Sequence, residues 1–177
     1  MTLLFAGLLA LQQRDVIDWD WLELQPRLGV AVYGGDFESD PGWAAGLLAR
    51  APMPWLSPAS DPKGEYFGIF ASLTLSGVDR DLDPPPSDPS GMLLLATIGA
   101  DYTIARDGTW LLQLLTGPQF GTFLGVDGLD DGIGWMIGAT GGVTVGPGVT
   151  LTLAPELSLG NGGDHVLFAW AGLMFQF

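Results

Sequence analysis

Residues 149–159 read Val-Thr-Leu-Thr-Leu-Ala-Pro-Glu-Leu-Ser-Leu, and this stretch decides the fold class. Val, Leu or Pro stands at every second position, while the positions between them hold Thr, Ala, Glu and Ser. Successive side chains of a β-strand point to opposite faces, so this period of two predicts a strand with one apolar and one more polar face. Residues 134–145 alternate in the same way, and Gly146-Pro-Gly148 between them predicts a tight hairpin turn.

The same alternation extends over most of the chain. It predicts eight strands, at residues 21–34, 43–53, 65–76, 91–104, 109–123, 134–145, 149–159 and 165–177. Each segment is long enough for a tilted strand to cross a bilayer, which takes roughly 9 to 11 residues. Because proline has no N–H for the ladder, we expect a bulge or bend at Pro118 in the fifth strand.

Polar residues concentrate on one face of these strands. They include the charged and amide side chains Glu23, Gln25, Arg27, Arg50, Asp101, Gln113, Gln119 and Glu156. The opposite face is mostly Leu, Ile, Val and Ala, which suits contact with lipid. The pattern therefore predicts an all-β fold, an eight-stranded antiparallel up-and-down transmembrane β-barrel. A soluble, lipocalin-like barrel with an apolar ligand inside is the alternative, and Phe70, Leu95, Phe168 and Trp170 on the inward face speak for it.

Composition supports strands over helices. The chain has 177 residues, 47% of them hydrophobic, with 27 Gly and 13 Pro, and a mean hydropathy of +0.33. Gly and Pro disfavour long helices, and no run approaches the roughly 20 apolar residues of a membrane-spanning helix. There is no Cys, which excludes disulfides and thiolate metal sites. The formal charge of -14 would repel phosphate backbones, so we expect no nucleic-acid partner.

The first residues, Met-Thr-Leu-Leu-Phe-Ala-Gly-Leu-Leu-Ala, form an apolar run with small residues near its end. We predict that residues 1–13 are a signal peptide cleaved at or shortly after Ala10, although the usual basic start is missing. The remaining residues, 14–177, would then form a single barrel domain. The other interpretation is a short apolar strand or helix of the mature protein.

The connections between the predicted strands alternate in length. Residues 105–108 and 146–148 are tight turns, 53–64 is a longer Pro-rich turn, and the other four connections are loops on one end. These loops hold eleven acids and one basic residue, Arg80; the acids are Asp36, Glu38, Asp40, Asp79, Asp81, Asp83, Asp88, Asp127, Asp130, Asp131 and Asp164. We expect an acidic outer rim that attracts divalent cations at most loosely. Asp79, Asp81 and Asp83 begin like an EF-hand loop, but prolines follow and Ser90 occupies the twelfth position.

The inward charges admit two interpretations. They fill the lumen as a network of ion pairs and amides, or they line a gated path for ions or solutes. A charge buried without a partner costs several kcal/mol, and eight strands enclose little more than their own side chains. The network is therefore the prediction, with Glu156 reaching Arg27 or Arg50, and we do not expect an open pore.

Catalysis is not expected. His165 is the only His, and no nucleophile stands at a spacing that would place it beside this imidazole. Ser90 or Ser158 would be the nucleophile if the chain were a membrane-embedded lipid-modifying enzyme. We predict no catalytic residues, no metal site and no cofactor.

Aromatic residues cluster near the predicted strand ends. They are Trp21, Trp43, Trp55, Tyr66, Trp110, Trp135, Phe175 and Phe177. Rings with a polar tip favour the headgroup region, so two girdles are expected.

The final segment, His-Val-Leu-Phe-Ala-Trp-Ala-Gly-Leu-Met-Phe-Gln-Phe at 165–177, resembles the last strand of bacterial outer-membrane proteins, which ends in Phe. With eight strands, residues 21–177 resemble the OmpA transmembrane domain and OmpX-like barrels. The resemblance implies a bacterial outer-membrane location, contact with membrane lipids and lipopolysaccharide, and recognition by the barrel-assembly machinery. Phe175 and Phe177 would carry the assembly signal.

Overall fold

The computed structural model describes residues 22–34, 40–53, 56, 66–79, 90–125, 132–160 and 164–177. The predicted signal peptide lies outside these residues, as do Trp21, Trp55 and most of the acids assigned to the loops.

Eight antiparallel strands close into a barrel in chain order. They are β1 (Glu23–Gly34), β2 (Gly42–Pro52), β3 (Phe67–Asp79), β4 (Ser90–Arg106), β5 (Trp110–Leu124), β6 (Gly132–Gly146), β7 (Val149–Leu159) and β8 (His165–Gln176). Each strand pairs with the next one, and β8 pairs with β1. The predicted fold class is confirmed, and all eight predicted strands exist with ends shifted by a few residues.

The register defines how wide the barrel is. From Arg27 on β1, successive partners through β2, β3, β4 and β5 lead to Gly132 on β6. The partners in the other direction, through β8 and β7, lead to Gly142, ten positions further along β6. With eight strands, this stagger corresponds to a tilt of about 40° and a radius of about 8 Å. Side chains alone can fill such an interior.

The two faces of the strands divide as predicted. Leu28, Ile98 and Leu153 on the outside are 70%, 71% and 66% exposed, whereas inward positions such as Gln25 and Asp101 are buried. Ala51 is an exception, because it was predicted to face outward and is buried. Within the described residues, no helix is both long and apolar enough to span a membrane.

Of the bulge or bend expected at Pro118, the bulge is not present in the described strands. Among the described residues of β4 and β5, Thr97 pairs with Gln119 and Ala100 pairs with Thr116, so the register is the same on both sides of the proline. A Cβ on Gly117 would lie 2.6 Å from the Cα of Gly99. These two facing glycines let the backbones approach closely. The pairing of β4 with β5 skips Ile98, Gly99, Gly117 and Pro118, as expected where proline has no N–H to donate, but no extra residue is inserted. The register shifts instead between Thr103 and Ala105.

Tight turns join β4 to β5 and β6 to β7, as predicted. Gly108 and Gly148 have φ of 87° and 65°, a backbone conformation that residues with a Cβ rarely adopt. In the first turn, Oδ1 of Asp107 accepts hydrogen bonds from the N–H of Thr109 at 2.9 Å and of Trp110 at 2.8 Å. These bonds lower the pKa of Asp107 below its usual value, because they stabilise the carboxylate.

Candidate functional site in the barrel lumen

One cluster of charges lies in the lumen near the end that carries the tight turns. Nε of Arg50 is 2.6 Å from Oδ2 of Asp101, and Nη1 of Arg50 is 3.2 Å from Oε2 of Glu23. Nη2 of Arg50 also donates to Oγ1 of Thr103 at 3.3 Å. All four side chains are almost completely buried, so strands β1, β2 and β4 are joined through the lumen as well as through their backbones.

Arg106 belongs to this cluster, although sequence reasoning placed it in a turn. Its Nη2 lies 2.5 Å from Oε1 of Glu23, and its side chain is 19% exposed. The register shift between Thr103 and Ala105 reverses the alternation at the end of β4 and turns Arg106 inward. Strict alternation from Asp101 would have put it outside. The only sequence signal was an arginine without an assigned partner at the end of the strand that holds Asp101.

A second cluster surrounds Arg27. Its Nη1 forms an ion pair with Oε1 of Glu156 on β7, and Nη2 donates to Oγ1 of Thr74 at 3.4 Å. The guanidinium lies 4.4 Å from the ring centroid of Trp170, whose Nε1 donates to Oε2 of Glu156 at 2.9 Å. The structure thus brings Glu156 to Arg27 rather than to Arg50. Phe168 stacks on Trp170 with 5.2 Å between centroids.

Amides and hydroxyls complete the polar part of the lumen. Gln25 donates to Thr152 at 2.7 Å, and Gln113 donates to Thr103 at 3.4 Å. Gln119 donates to Thr97 at 3.0 Å and accepts a hydrogen bond from Ser158. Near the opposite end, the hydroxyl of Tyr33 is 2.5 Å from Oγ of Ser76. These partners from β1, β3, β4 and β7 were not identified from the sequence, because hydroxyl residues on an inward face are common.

Apolar side chains occupy other parts of the lumen. Leu48, Phe70, Leu115 and Met136 form one buried cluster. A larger one lies toward the end opposite the two tight turns and consists of Ala31, Tyr33, Ala44, Val78, Leu93, Leu95, Ala154, Phe168 and Trp170. The inward apolar residues that suggested a ligand-binding barrel are therefore packed against one another.

The charges of the lumen are balanced. Among the residues that the structure describes, three arginines (Arg27, Arg50 and Arg106) face three acids (Glu23, Asp101 and Glu156), and each arginine has an acid partner. Within the described ranges, no three His, Asp or Glu side chains are grouped so that they would hold a metal ion. These ion pairs connect strands to one another, and the charged groups that form them are paired rather than solvated.

The C-terminal aromatic residues lie at the outer surface of the barrel. Phe177 is 71% exposed, and its N–H donates to the carbonyl of Leu22 at 3.2 Å. The N–H of Gln176 donates to the carbonyl of Gly148 at 2.9 Å, so the chain end is held against the turn between β6 and β7. Phe175 pairs with Leu24 on β1.

Other aromatics of the expected girdles face outward, including Trp43, Trp110 and Trp135. Trp135 donates its indole N–H to Oγ1 of Thr116 at 2.7 Å, and Thr116 donates to the carbonyl of Met136 at 3.1 Å. The polar groups of both side chains are therefore hydrogen-bonded to protein partners, which suits them to a lipid-facing position.

No protein-family model matches the sequence, and no curated protein is significantly similar to it. Solved structures are similar in fold. Neisserial surface protein A has a TM-score of 0.64 at 14% identity, and the match covers 88% of this chain and 97% of the neighbour's chain. Ail, the attachment invasion locus protein of Yersinia pestis, has a TM-score of 0.61 at 12% identity, covering 89% and 98%.

A major outer membrane protein from Thermus thermophilus has a TM-score of 0.56 at 14% identity, covering 88% and 99%. Identities this low establish the fold alone. The closed eight-stranded barrel and its apolar exterior, taken with these neighbours, confirm the predicted membrane-spanning barrel of the kind found in bacterial outer membranes.

Proposed function

We propose that the protein is a non-catalytic outer-membrane barrel that presents acidic connections at the outer face of the membrane. One observation carries the proposal. Within the described residues, the six charged side chains of the lumen neutralise one another, so they contribute nothing to the formal charge of -14. The four connections at one end, counted with Asp79 at the end of β3, account for most of it, with eleven acids against one arginine.

The partners that fit this surface are cationic. Carboxylates are the oxygen ligands that Ca²⁺ and Mg²⁺ prefer, and these ions can bridge acidic side chains to the phosphates of lipopolysaccharide. The neighbour Ail was crystallised with the heparin analogue sucrose octasulfate. For the present chain, the acidic connections favour cations over such a polyanion.

The contacts inside the lumen favour a structural or interaction role over transport or ligand storage. Ion pairs, amides and apolar side chains occupy it along the strands, and an eight-stranded barrel leaves little space beyond them. We therefore expect no ion conduction when the purified protein is reconstituted into planar bilayers. Steady conductance steps would contradict the proposal and favour a hydrated path along the lumen.

The interaction with cation-bridged lipid is tested by removing two acids at one end of the barrel and, in a control, two acids at the other end. The variant Asp81→Asn/Asp83→Asn should weaken Mg²⁺-dependent association of the folded protein with vesicles that contain lipopolysaccharide. The control variant, Asp61→Asn/Glu65→Gln, removes two acids from the connection between β2 and β3 at the opposite end. Equal effects of both variants, or none, would contradict a role for the outer rim.

A further inference from the structure

The seam between β1 and β8, where the barrel closes on itself, is interrupted in its backbone pairing. Leu24 pairs with Phe175 and Arg27 pairs with Gly172, but the pairing between these described strands skips Gln25 and Pro26. Proline has no N–H to donate to a neighbouring strand, which is a sufficient cause for the gap. The first and last strands are therefore joined by fewer backbone bonds at this level.

The side chains on both sides of Pro26 make long-range bonds inside the lumen. Gln25 donates to Thr152 at 2.7 Å, and Arg27 pairs with Glu156. Both partners belong to β7, so both bonds cross over β8 and connect β1 to the strand beyond it. Arg27 also lies over the ring of Trp170, which belongs to β8 itself.

Gly172 makes this crossing sterically feasible. It pairs with Arg27 on one side and with Thr152 on the other. A Cβ at this position would lie 2.8 Å from the carbonyl oxygen of Pro26, 3.1 Å from Cβ of Arg27 and 3.2 Å from Oγ1 of Thr152. A side chain here would displace the residues that pass over β8.

We propose that Gln25 and Arg27, bound to Thr152 and Glu156 across Gly172, form a luminal clasp that holds the barrel closed at the Pro26 gap. The clasp compensates for the missing backbone bonds by fastening β1 to two strands at once. The seam is then the place where the barrel opens first when the clasp is broken. This inference is independent of what the acidic connections bind.

Hydrogen exchange of the full chain, folded in detergent or lipid, tests the clasp strand by strand. Glu156→Gln removes the charge that pairs with Arg27, and Gly172→Ala pushes the crossing residues apart. Each should raise exchange of the β1 and β8 amides by about tenfold or more, while amides between β2 and β3 change little. The control Ser158→Ala removes another buried luminal hydrogen bond, to Gln119, and should leave the seam unchanged.

A cross-link separates a seam defect from general loss of stability. The chain has no Cys, so a pair introduced at Val30 and Ala169 would join β1 to β8, and a pair at Ala49 and Ala71 would join β2 to β3. Glu156→Gln and Gly172→Ala should lower the temperature at which the folded band disappears on gels. The seam disulfide should restore this temperature, and the other disulfide should not. Equal rescue by both disulfides, or uniform exchange in all strands, would overturn the clasp. So would wild-type exchange at the seam.

Discussion

Arg106, the last residue of β4, contacts Glu23, the first residue of β1, with 2.5 Å between Nη2 and Oε1. The contact joins two strands that are not neighbours in the barrel. It also balances the charge of the cluster around Arg50, because Glu23 and Asp101 otherwise face Arg50 alone.

We therefore expect Arg106→Ala to destabilise the barrel by about 1.5 to 3 kcal/mol, the usual range for a hydrogen bond to a charged group. Urea unfolding in detergent, followed by tryptophan fluorescence, measures the change. The double variant Arg106→Met/Glu23→Gln should recover part of the loss, since no lone charge remains. A wild-type midpoint for Arg106→Ala would contradict the contact.

The pair of Arg27 and Glu156 should be more costly to break, because both side chains are almost fully buried. Glu156→Gln is expected to lower the free energy of unfolding by about 3 kcal/mol or more, whereas replacing both residues by Met should cost less than the two single changes together. Asp130→Asn, a substitution in the connection between β5 and β6, is the matched surface control. Equally mild effects of Glu156→Gln and Asp130→Asn would indicate a hydrated lumen instead.

The hydrogen bonds of Asp107 in the turn after β4 should make stability depend on pH. Because two backbone N–H groups bond the carboxylate, the pKa of Asp107 lies below its ordinary value of 3.8. A depressed pKa stabilises the folded state above the ordinary pKa, and this contribution is lost as the pH falls through the lowered value. NMR titration of the Asp107 carboxyl should show the low midpoint. Asp107→Asn, which keeps the acceptor oxygen, should retain the turn, and Asp107→Ala should not.

Gly148 should tolerate substitution less well than Gly146 in the same turn. Gly148 has a φ of 65° and its Cβ would lie 2.9 Å from the carbonyl oxygen of Gln176, whereas a Cβ on Gly146 would meet nothing within 4 Å. Gly148→Ala should cost about 1 kcal/mol or more in unfolding experiments, and Gly146→Ala clearly less. The reverse order would contradict the turn geometry.

The last residue is predicted to affect assembly rather than stability of the finished barrel. Phe177 is exposed and aromatic directly after β8, and the resemblance of this segment to outer-membrane proteins predicts that it is part of an assembly signal. Deleting Phe177 should reduce the heat-modifiable, folded band in membrane fractions while total synthesis stays the same. Changing Phe123, an aromatic at the other end of the barrel, to Leu provides the control, and an equal loss of folded protein in both variants would contradict the signal.

The sequence by itself determined the strands and their two faces. Alternation depends only on the geometry of adjacent residues, so Gln25, Asp101 and Glu156 could be assigned to the lumen without knowing their neighbours. The apolar outer face and the glycine turns at 108 and 148 follow from equally local chemistry.

Which inward residues meet was decided only by the tertiary structure. The stagger of ten positions around the closed barrel brings Glu156 to Arg27, and it depends on every register in the sheet together. The register shift at Thr103 turns Arg106 into the lumen, and the register of β4 and β5 is the same on both sides of Pro118. Such outcomes depend on the approach of two backbones that are distant in the chain, and a period of two in one strand carries no information about its partner.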